Sequence, residues 1–554
     1  MTLKNLTRRQ FVGASAAGIG GLLLPFHVYA DLNAETTNPV ETTAGKVRGK
    51  RIDGISRFLG IRYGADTGSH RFQPPRLPHP WTGVADCFAY GAQAPQGVVG
   101  LPGAGAAGQA NTPPKAPSKA LGAVMAIASV SQSMGPQSED CLFLNVWTPE
   151  ASNTRKRPVM VWLHGGGFAM GSGGIPSTDG DDLARFGDVV VVALNHRLNA
   201  MGYLYLGDLH EDFADSGNAG HLDIILALEW VRDNIANFGG DPNNVTIFGQ
   251  SGGGAKVGAM MGMAPGKGLF HKAIEQSGPY VRGVERDAAA ELAERTLKAL
   301  EIAPEDVHKL QGLDPQVVIG AAIKSQSGGF GSARSLAPVV DGRSLPAHPF
   351  DPVASDLSSH VPLMVGCTKD ESTMFMGLDP AFGNISAEQA KERFAMLAGD
   401  RAEEAFELYS SRRPDDDPTY WLTSYQTDAF AWSGSMLTAE RKSEQGAPAF
   451  LYRVDWHTVL GDGILRATHG AEMPFVFRHL DGFGAMNGDG PVQQQLMETF
   501  SRAWINFARS GDPSQEGLAW PAYDVEKRST MIFDAESRVV SDPDSDIREF
   551  WLST

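Results

Sequence analysis

The apolar, β-branched run Val245-Thr246-Ile247-Phe248 passes without a spacer into Gly249-Gln250-Ser251-Gly252-Gly253, and small residues suited to a helix follow at once. Such a segment has few ways to fold: a buried strand, a turn that glycine-lined backbone can negotiate, and a helix starting directly behind it. A serine at the apex of that turn has its hydroxyl exposed above a sheet edge, the layout of a nucleophile elbow. The pentapeptide alone carries little weight in a chain with 64 glycines, so its meaning depends on what accompanies it.

Segments 142–147, 158–163, 189–194, 245–248, 361–365 and 449–454 are almost continuously apolar, as strands of a parallel sheet covered on both faces must be. Helical patterns fall between them. The clearest, over 223–237, sets Ile224, Leu228, Val231, Ile235 and Phe238 on one stripe of the 3.6-residue period. Gly239-Gly240 stops it and Asp241-Pro242 prevents its resumption. The alternation predicts an α/β fold built on a large, mostly parallel, doubly wound sheet. No linker or internal repeat divides residues 31–554, which are expected to form a single domain.

A formal charge of −17 argues against nucleic acid or an anionic membrane as partner. Cys87, Cys141 and Cys367 are too few for a disulfide scaffold, though a Cys87–Cys141 bridge is open. There is no CxxC, HExxH or dinucleotide fingerprint, so neither a metal nor a cofactor is expected. Near the amino terminus, Thr7-Arg8-Arg9-Gln10-Phe11-Val12 precedes a short apolar stretch and Val28-Tyr29-Ala30. This resembles a twin-arginine signal over residues 1–30 with cleavage after Ala30, implying the twin-arginine export machinery as a partner and a periplasmic or secreted product. The stretch is short and glycine-rich against the ~20 residues of a spanning helix, so no stable membrane insertion is expected.

Residues 96–137 are rich in Gly, Ala, Pro and Ser, with two short candidate helices around 116–129, and read as a surface loop or a lid. Downstream, the strand ending at Leu163 runs into His164-Gly165-Gly166-Gly167-Phe168, a glycine run able to turn backbone N–H groups into open space as an oxyanion hole requires.

From about Glu41 to Tyr523 the chain resembles the type-B carboxylesterases, the family of cholinesterases and para-nitrobenzyl esterases. The resemblance is carried by Phe58-Leu59-Gly60-Ile61-Arg62-Tyr63, Arg71-Phe72-Gln73-Pro74-Pro75, Ser138-Glu139-Asp140-Cys141-Leu142-Phe143-Leu144-Asn145, Asn195-His196-Arg197 and Asn237-Phe238-Gly239-Gly240-Asp241-Pro242. It continues through Glu275-Gln276-Ser277-Gly278, Pro338-Val339-Val340-Asp341-Gly342, Lys369-Asp370-Glu371 and Trp520-Pro521-Ala522-Tyr523. It implies an α/β-hydrolase fold with insertions around a gorge, and hydrolysis of small carboxylic esters through an acyl-enzyme on Ser251. His469, within Thr468-His469-Gly470-Ala471-Glu472, would be general base and acid, and Glu371 the acid orienting it, with Asp370 as its rival. The N–H groups of Gly166, Gly167 and Gly252 would form the oxyanion hole. Ser277 matches a serine hydrogen-bonded near the acid and base; capping of its own turn is the plainer alternative. Arg71 with Glu139 and Arg197 with Asp223 match structural ion pairs, each costing about 3–5 kcal/mol if one partner is lost.

Departures are also visible. Gly252 stands where the family usually has alanine, which predicts greater local mobility with the amide retained. His196 replaces a common tyrosine and Ile224 a common glutamine. Cys141 matches one position of a family disulfide whose other position is Ala94, which puts any bridge in doubt, and the resemblance favours a lid over 96–137. Phe168, Trp432, Trp456 and Phe477 are candidates for the substrate pocket or for the core, and Arg466 for local attraction of anions. Lipid, lactone, thioester or amide hydrolysis would use the same triad, and a catalytically weak binding module of cholinesterase type is the alternative from another class. Substrate and oligomeric state are left open.

Overall fold

The computed structural model describes residues 34–97, 118–130, 135–326, 336–480 and 486–552. The leader expected over 1–30 lies outside these residues, as do 98–117 and 131–134 of the Gly/Ala/Pro-rich segment.

The central sheet contains β1 (Lys50–Ile52), β2 (Ile55–Arg62), β3 (Phe143–Thr148), β4 (Arg157–Leu163), β5 (Val190–Leu194), β6 (Gly240–Gln250), β7 (Lys272–Gln276), β8 (Leu363–Thr368), β9 (Ala449–Val454), β10 (Ser529–Phe533) and β11 (Arg538–Ser541). Their spatial order is β1-β2-β3-β5-β4-β6-β7-β8-β9-β10-β11. From β5 through β10 every pair is parallel, while both margins are antiparallel. Chain direction across the sheet reverses between β4 and β6. In open α/β sheets such a switch point, at the carboxyl ends of the strands, is where ligands bind.

Strands of this kind must be apolar throughout because both faces are covered. In β4, Val159, Val161 and Leu163 enter one core and Met160 and Trp162 the other; in β5, Val190, Val192 and Leu194 alternate with Val191 and Ala193. Each such buried side chain contributes about 1.5–3 kcal/mol of transfer free energy. Helix Ala219–Asn234 covers the first face and helix Pro491–Ser510 the second.

The helix expected over 223–237 begins earlier, at Ala219, and gives way to a 3₁₀ turn, Ile235–Phe238. Its first turn, Ala219-Gly220-His221, is buried all round and so carries no periodic signal. Gly239 ends it at φ +88°, a left-handed conformation natural to glycine. Arg197 pairs with Asp223 at 2.6 and 2.9 Å, with both side chains buried. Arg71 holds Glu139 through two guanidinium nitrogens. All three cysteines are unbridged and buried, which removes the Cys87–Cys141 bridge left open by the sequence. Among the described residues no helix is long and apolar enough to cross a membrane.

The sequence predicts two short helices around 116–129, of which 116–117 lie outside the described residues; among the described residues of 96–137 a helix spans Lys119–Val130. No strong breaker interrupts it, and a Cβ on its internal Gly122 would meet only open space. It packs Ala120, Ala123, Val124 and Ile127 against Phe382, Leu465, Ala471 and Met486.

Candidate active site

Ser251 sits between β6 and helix Gly252–Met260 at φ 60°, ψ −126°. A non-glycine residue adopts this sparsely populated conformation only where its surroundings enforce it, and here they do. The Ser251 N–H donates to Gln276 O at 2.8 Å, and Ala255 N–H to Ser251 O at 3.0 Å. A Cβ on Gly253 would stand 2.0 Å from Leu163 O, and one on Gly278 2.0 Å from Ser251 O. Those two positions leave no room for any other residue.

Register brings the second part of the site level with the first, because Gly249 of β6 is paired with Leu163 of β4. The glycine loop 165–167 therefore leaves the sheet beside the serine turn, with Gly166 at φ +90° and Gly167 at φ +62°. A Cβ on Gly252 would lie 2.2 Å from Gly167 O and 2.4 Å from Gly167 N. The space left by the missing methyl is thus filled by the Gly167 peptide; the departure from alanine brings two backbones together. Among the described residues, the N–H groups of Gly166, Gly167 and Gly252 have no hydrogen-bond acceptor.

The acid follows the end of β8, and the histidine lies in the long loop after β9. His469 Nδ1 and Glu371 Oε2 form a short hydrogen bond, and Glu371 Oε1 accepts from Thr368 N–H at 2.7 Å. The adjacent Asp370 turns away to Arg413 at 2.9 Å, so of the two acids only Glu371 meets the ring. Thr373 Oγ1 donates to Asp370 O at 2.7 Å and lies 2.8 Å from Thr468 Oγ1, sewing the acid's turn to the histidine's. Burial opposes the imidazolium of His469, but Glu371, by charge and hydrogen bond, and then Glu472 outweigh it, and the pKa is raised. Burial, and secondarily Glu371, pushes Glu472 up to about 7.

With Nδ1 committed to Glu371, Nε2 faces the serine turn, where it lies 3.2 Å from Gln250 Nε2. No hydrogen bond joins Ser251 Oγ to His469 among the described residues. Such bonds are often long without substrate and tighten in the complex. Ser277, at φ +53° and buried, donates its N–H to Gly366 O at 2.8 Å. Among the described residues its Oγ has no partner, so there it neither bonds the acid or histidine nor caps its turn.

The rings beside His469 are Phe375 at 5.2 Å and Phe430 at 5.7 Å, neither of them marked by the sequence. Phe477 belongs to the core with Trp162 and Phe248, Trp456 packs on Phe475, and Phe168 and Trp432 are buried. Arg466 is held by Asp416 through both terminal nitrogens at 2.6 and 2.7 Å. No sequence pattern separates Phe375 and Phe430 from core phenylalanines; only their nearness to His469 in space does.

A sequence model of the Carboxylesterase family matches residues 36–551. The chain is 36% identical to the para-nitrobenzyl esterase of Bacillus subtilis (strain 168), over 92% of this chain and 97% of that protein. It is 33% identical to the phenmedipham hydrolase of Pseudarthrobacter oxydans, over 91% and 97% of the two chains. The crystal structure of a Geobacillus stearothermophilus carboxylesterase superposes with a TM-score of 0.78 at 34% identity, over 93% of this chain and 100% of that one. The chain therefore belongs to the carboxylesterase family, with the α/β-hydrolase fold, and is a carboxylic ester hydrolase.

Proposed function

We propose that this chain is an exported serine carboxylesterase acting through an acyl-enzyme on Ser251. His469 Nε2 takes the serine proton as Oγ attacks the ester carbonyl, then delivers it to the leaving alcohol; Glu371 fixes the tautomer and stabilises the imidazolium. The N–H groups of Gly166, Gly167 and Gly252 receive the tetrahedral oxyanion. The observation that carries this reading is the convergence at one switch point of a strained serine, three unpaired amides and a His469–Glu371 pair. Phe375 and Phe430 form the aromatic wall beside the histidine and favour apolar acyl or aryl groups. The para-nitrobenzyl esterase among the relatives makes aryl esters the natural probe.

The test is hydrolysis of para-nitrophenyl esters from acetate to palmitate, with Ser251→Ala alongside. A loss of about 10⁴-fold or more in that variant supports the reading, and the chain-length optimum sizes the acyl pocket. A parent inactive on every ester would instead favour a binding module. Export rests on the Thr7–Val12 pattern, and the exported chain is expected to begin at Asp31; a mature amino terminus elsewhere, or none released, overturns it.

A further inference from the structure

One buried group near this site is used by none of the chemistry above. Lys256, one turn after Gly252 in its helix, is completely buried, and Nζ donates to His164 O and to Gly167 O, each at 2.9 Å. No carboxylate pairs with it among the described residues; the ring of Phe168 lies 5.7 Å from Nζ. Around it stand His164 and His196, stacked with centroids 5.0 Å apart, and His221. Burial first, and the lysine's charge second, lower the pKa of all three imidazoles, keeping them neutral. Burial also brings Lys256 itself down to about 7. An amine without a counter-ion is a costly occupant of a core that an apolar side chain would fill.

The carbonyls of the glycine loop show what it does there. His164 O and Gly167 O are taken by Lys256; Gly165 O lies 2.8 Å from His164 Nδ1, which as a neutral Nδ1–H tautomer donates to it. Gly166 O accepts from Met170 N–H at 3.1 Å and Ala169 N–H at 3.3 Å. Every carbonyl from 164 to 167 is therefore tied down, while the amides of Gly166 and Gly167 are unpaired. A peptide is planar and trans, so holding a carbonyl on one side aims the following N–H to the other. The Gly166 and Gly167 amides are therefore aimed by the carbonyls of Gly165, held by His164 Nδ1, and of Gly166, held by the Ala169 and Met170 amides. Lys256 fixes the two peptide units on either side of them, 164–165 and 167–168, and so holds the stretch that carries them.

We propose that Lys256 is a positioning residue for the oxyanion hole: its Nζ holds the carbonyls of His164 and Gly167 so that the Gly166 and Gly167 amides face the reacting ester oxygen. This rests on the reading of Ser251 as nucleophile. A neutral amine retains two N–H donors, one for each carbonyl, so the clamp does not depend on charge. It also gives His196 a place, as the ring stacked beneath His164.

Lys256→Met keeps the length of the side chain and removes the donors. Expected are a kcat for para-nitrophenyl butyrate reduced at least tenfold, a KM within about twofold of the parent, and a parallel rise in Ki for an aryl trifluoromethyl ketone, whose adduct bears the oxyanion. Hydrogen–deuterium exchange over 164–171 should accelerate. A lysine of purely structural value would lower the melting temperature and leave kcat and Ki alone. Lys256→Gln, which retains a donor for one carbonyl, should recover part of kcat, and replaces the methionine variant if that does not fold. Values of kcat and Ki within twofold of the parent, with unchanged exchange, overturn the proposal. If the parent hydrolyses no ester, the nucleophile reading falls, and loop exchange alone still decides whether Lys256 holds the loop.

Discussion

At the scale of single residues the site depends on absent side chains as much as on present ones. Gly252 admits the Gly167 peptide into the space a methyl would need, so Gly252→Ala is expected to push the loop outward and separate two of the three amides. Loss of one such donor costs about 10²–10³ in turnover in other hydrolases. A kcat reduced by ~10²-fold with KM little changed is the predicted result in steady-state kinetics; an unchanged kcat would mean that the loop adapts freely. In the proposed mechanism His469 governs the pH dependence. Its pKa is raised on balance, by Glu371 and then Glu472 against burial, and only the neutral ring accepts the serine proton. Activity should therefore fall as pH drops through a midpoint above the ordinary ~6.5 of histidine, about tenfold per pH unit below it. Glu371→Gln removes the largest raising influence: the acid limb of kcat/KM should move to lower pH while kcat falls about 10³–10⁴-fold. A limb that stays in place would separate the measured midpoint from this pair.

At the scale of elements, β7 shows why part of the structure was illegible in the sequence. Lys272-Ala273-Ile274-Glu275-Gln276 reads as polar and goes unmarked among the apolar runs, yet all five residues are buried. Its polar groups serve neighbours: Gln276 Oε1 accepts from Trp504 Nε1–H at 3.1 Å, Gln276 Nε2 donates to Glu472 at 3.2 Å, and Glu275 Oε1 accepts from Tyr280 N–H at 2.8 Å. Strands whose residues only pack, such as β4 and β5, announce themselves; one that also supports the site does not. The same division runs through the site. Ser251, the glycine run and the order serine, acid, histidine could be read from local pattern and resemblance, whereas Phe375, Phe430 and Lys256 acquire meaning only through contacts between distant segments. Burial raises Glu275 to about 8. The native state then keeps a proton that the unfolded chain releases above ~4.3, so stability should decline as pH rises from there towards 8. Glu275→Gln lacks that titration. Its stability advantage over the parent should widen between pH 5 and 8 by about 1 kcal/mol or more, measured as urea midpoints at both pH values; a constant difference would place an ionised carboxylate there.

On the scale of the whole molecule, the formal charge of −17 predicts a net negative long-range field, and the Arg466 guanidinium is paired with Asp416 rather than free to attract anions. Esters bearing a carboxylate should consequently show kcat/KM rising a few-fold between ~0.01 and ~0.15 M ionic strength, where the screening length shortens from about 30 to about 8 Å, while neutral esters of similar size stay level. Equal responses would mean that the charge lies too far from the gorge to steer. The same molecule keeps three thiols sealed within it: Cys87, Cys141 and Cys367 are each at most 4% exposed, and burial raises the pKa of all three, Cys87 to about 12. Distributed from the early segment through the edge of β3 to β8, and unable to react while the protein is closed, they make the native chain its own unfolding clock. The rate at which a small alkylating reagent marks each cysteine reports how often that part of the sheet opens, without any label having to be introduced.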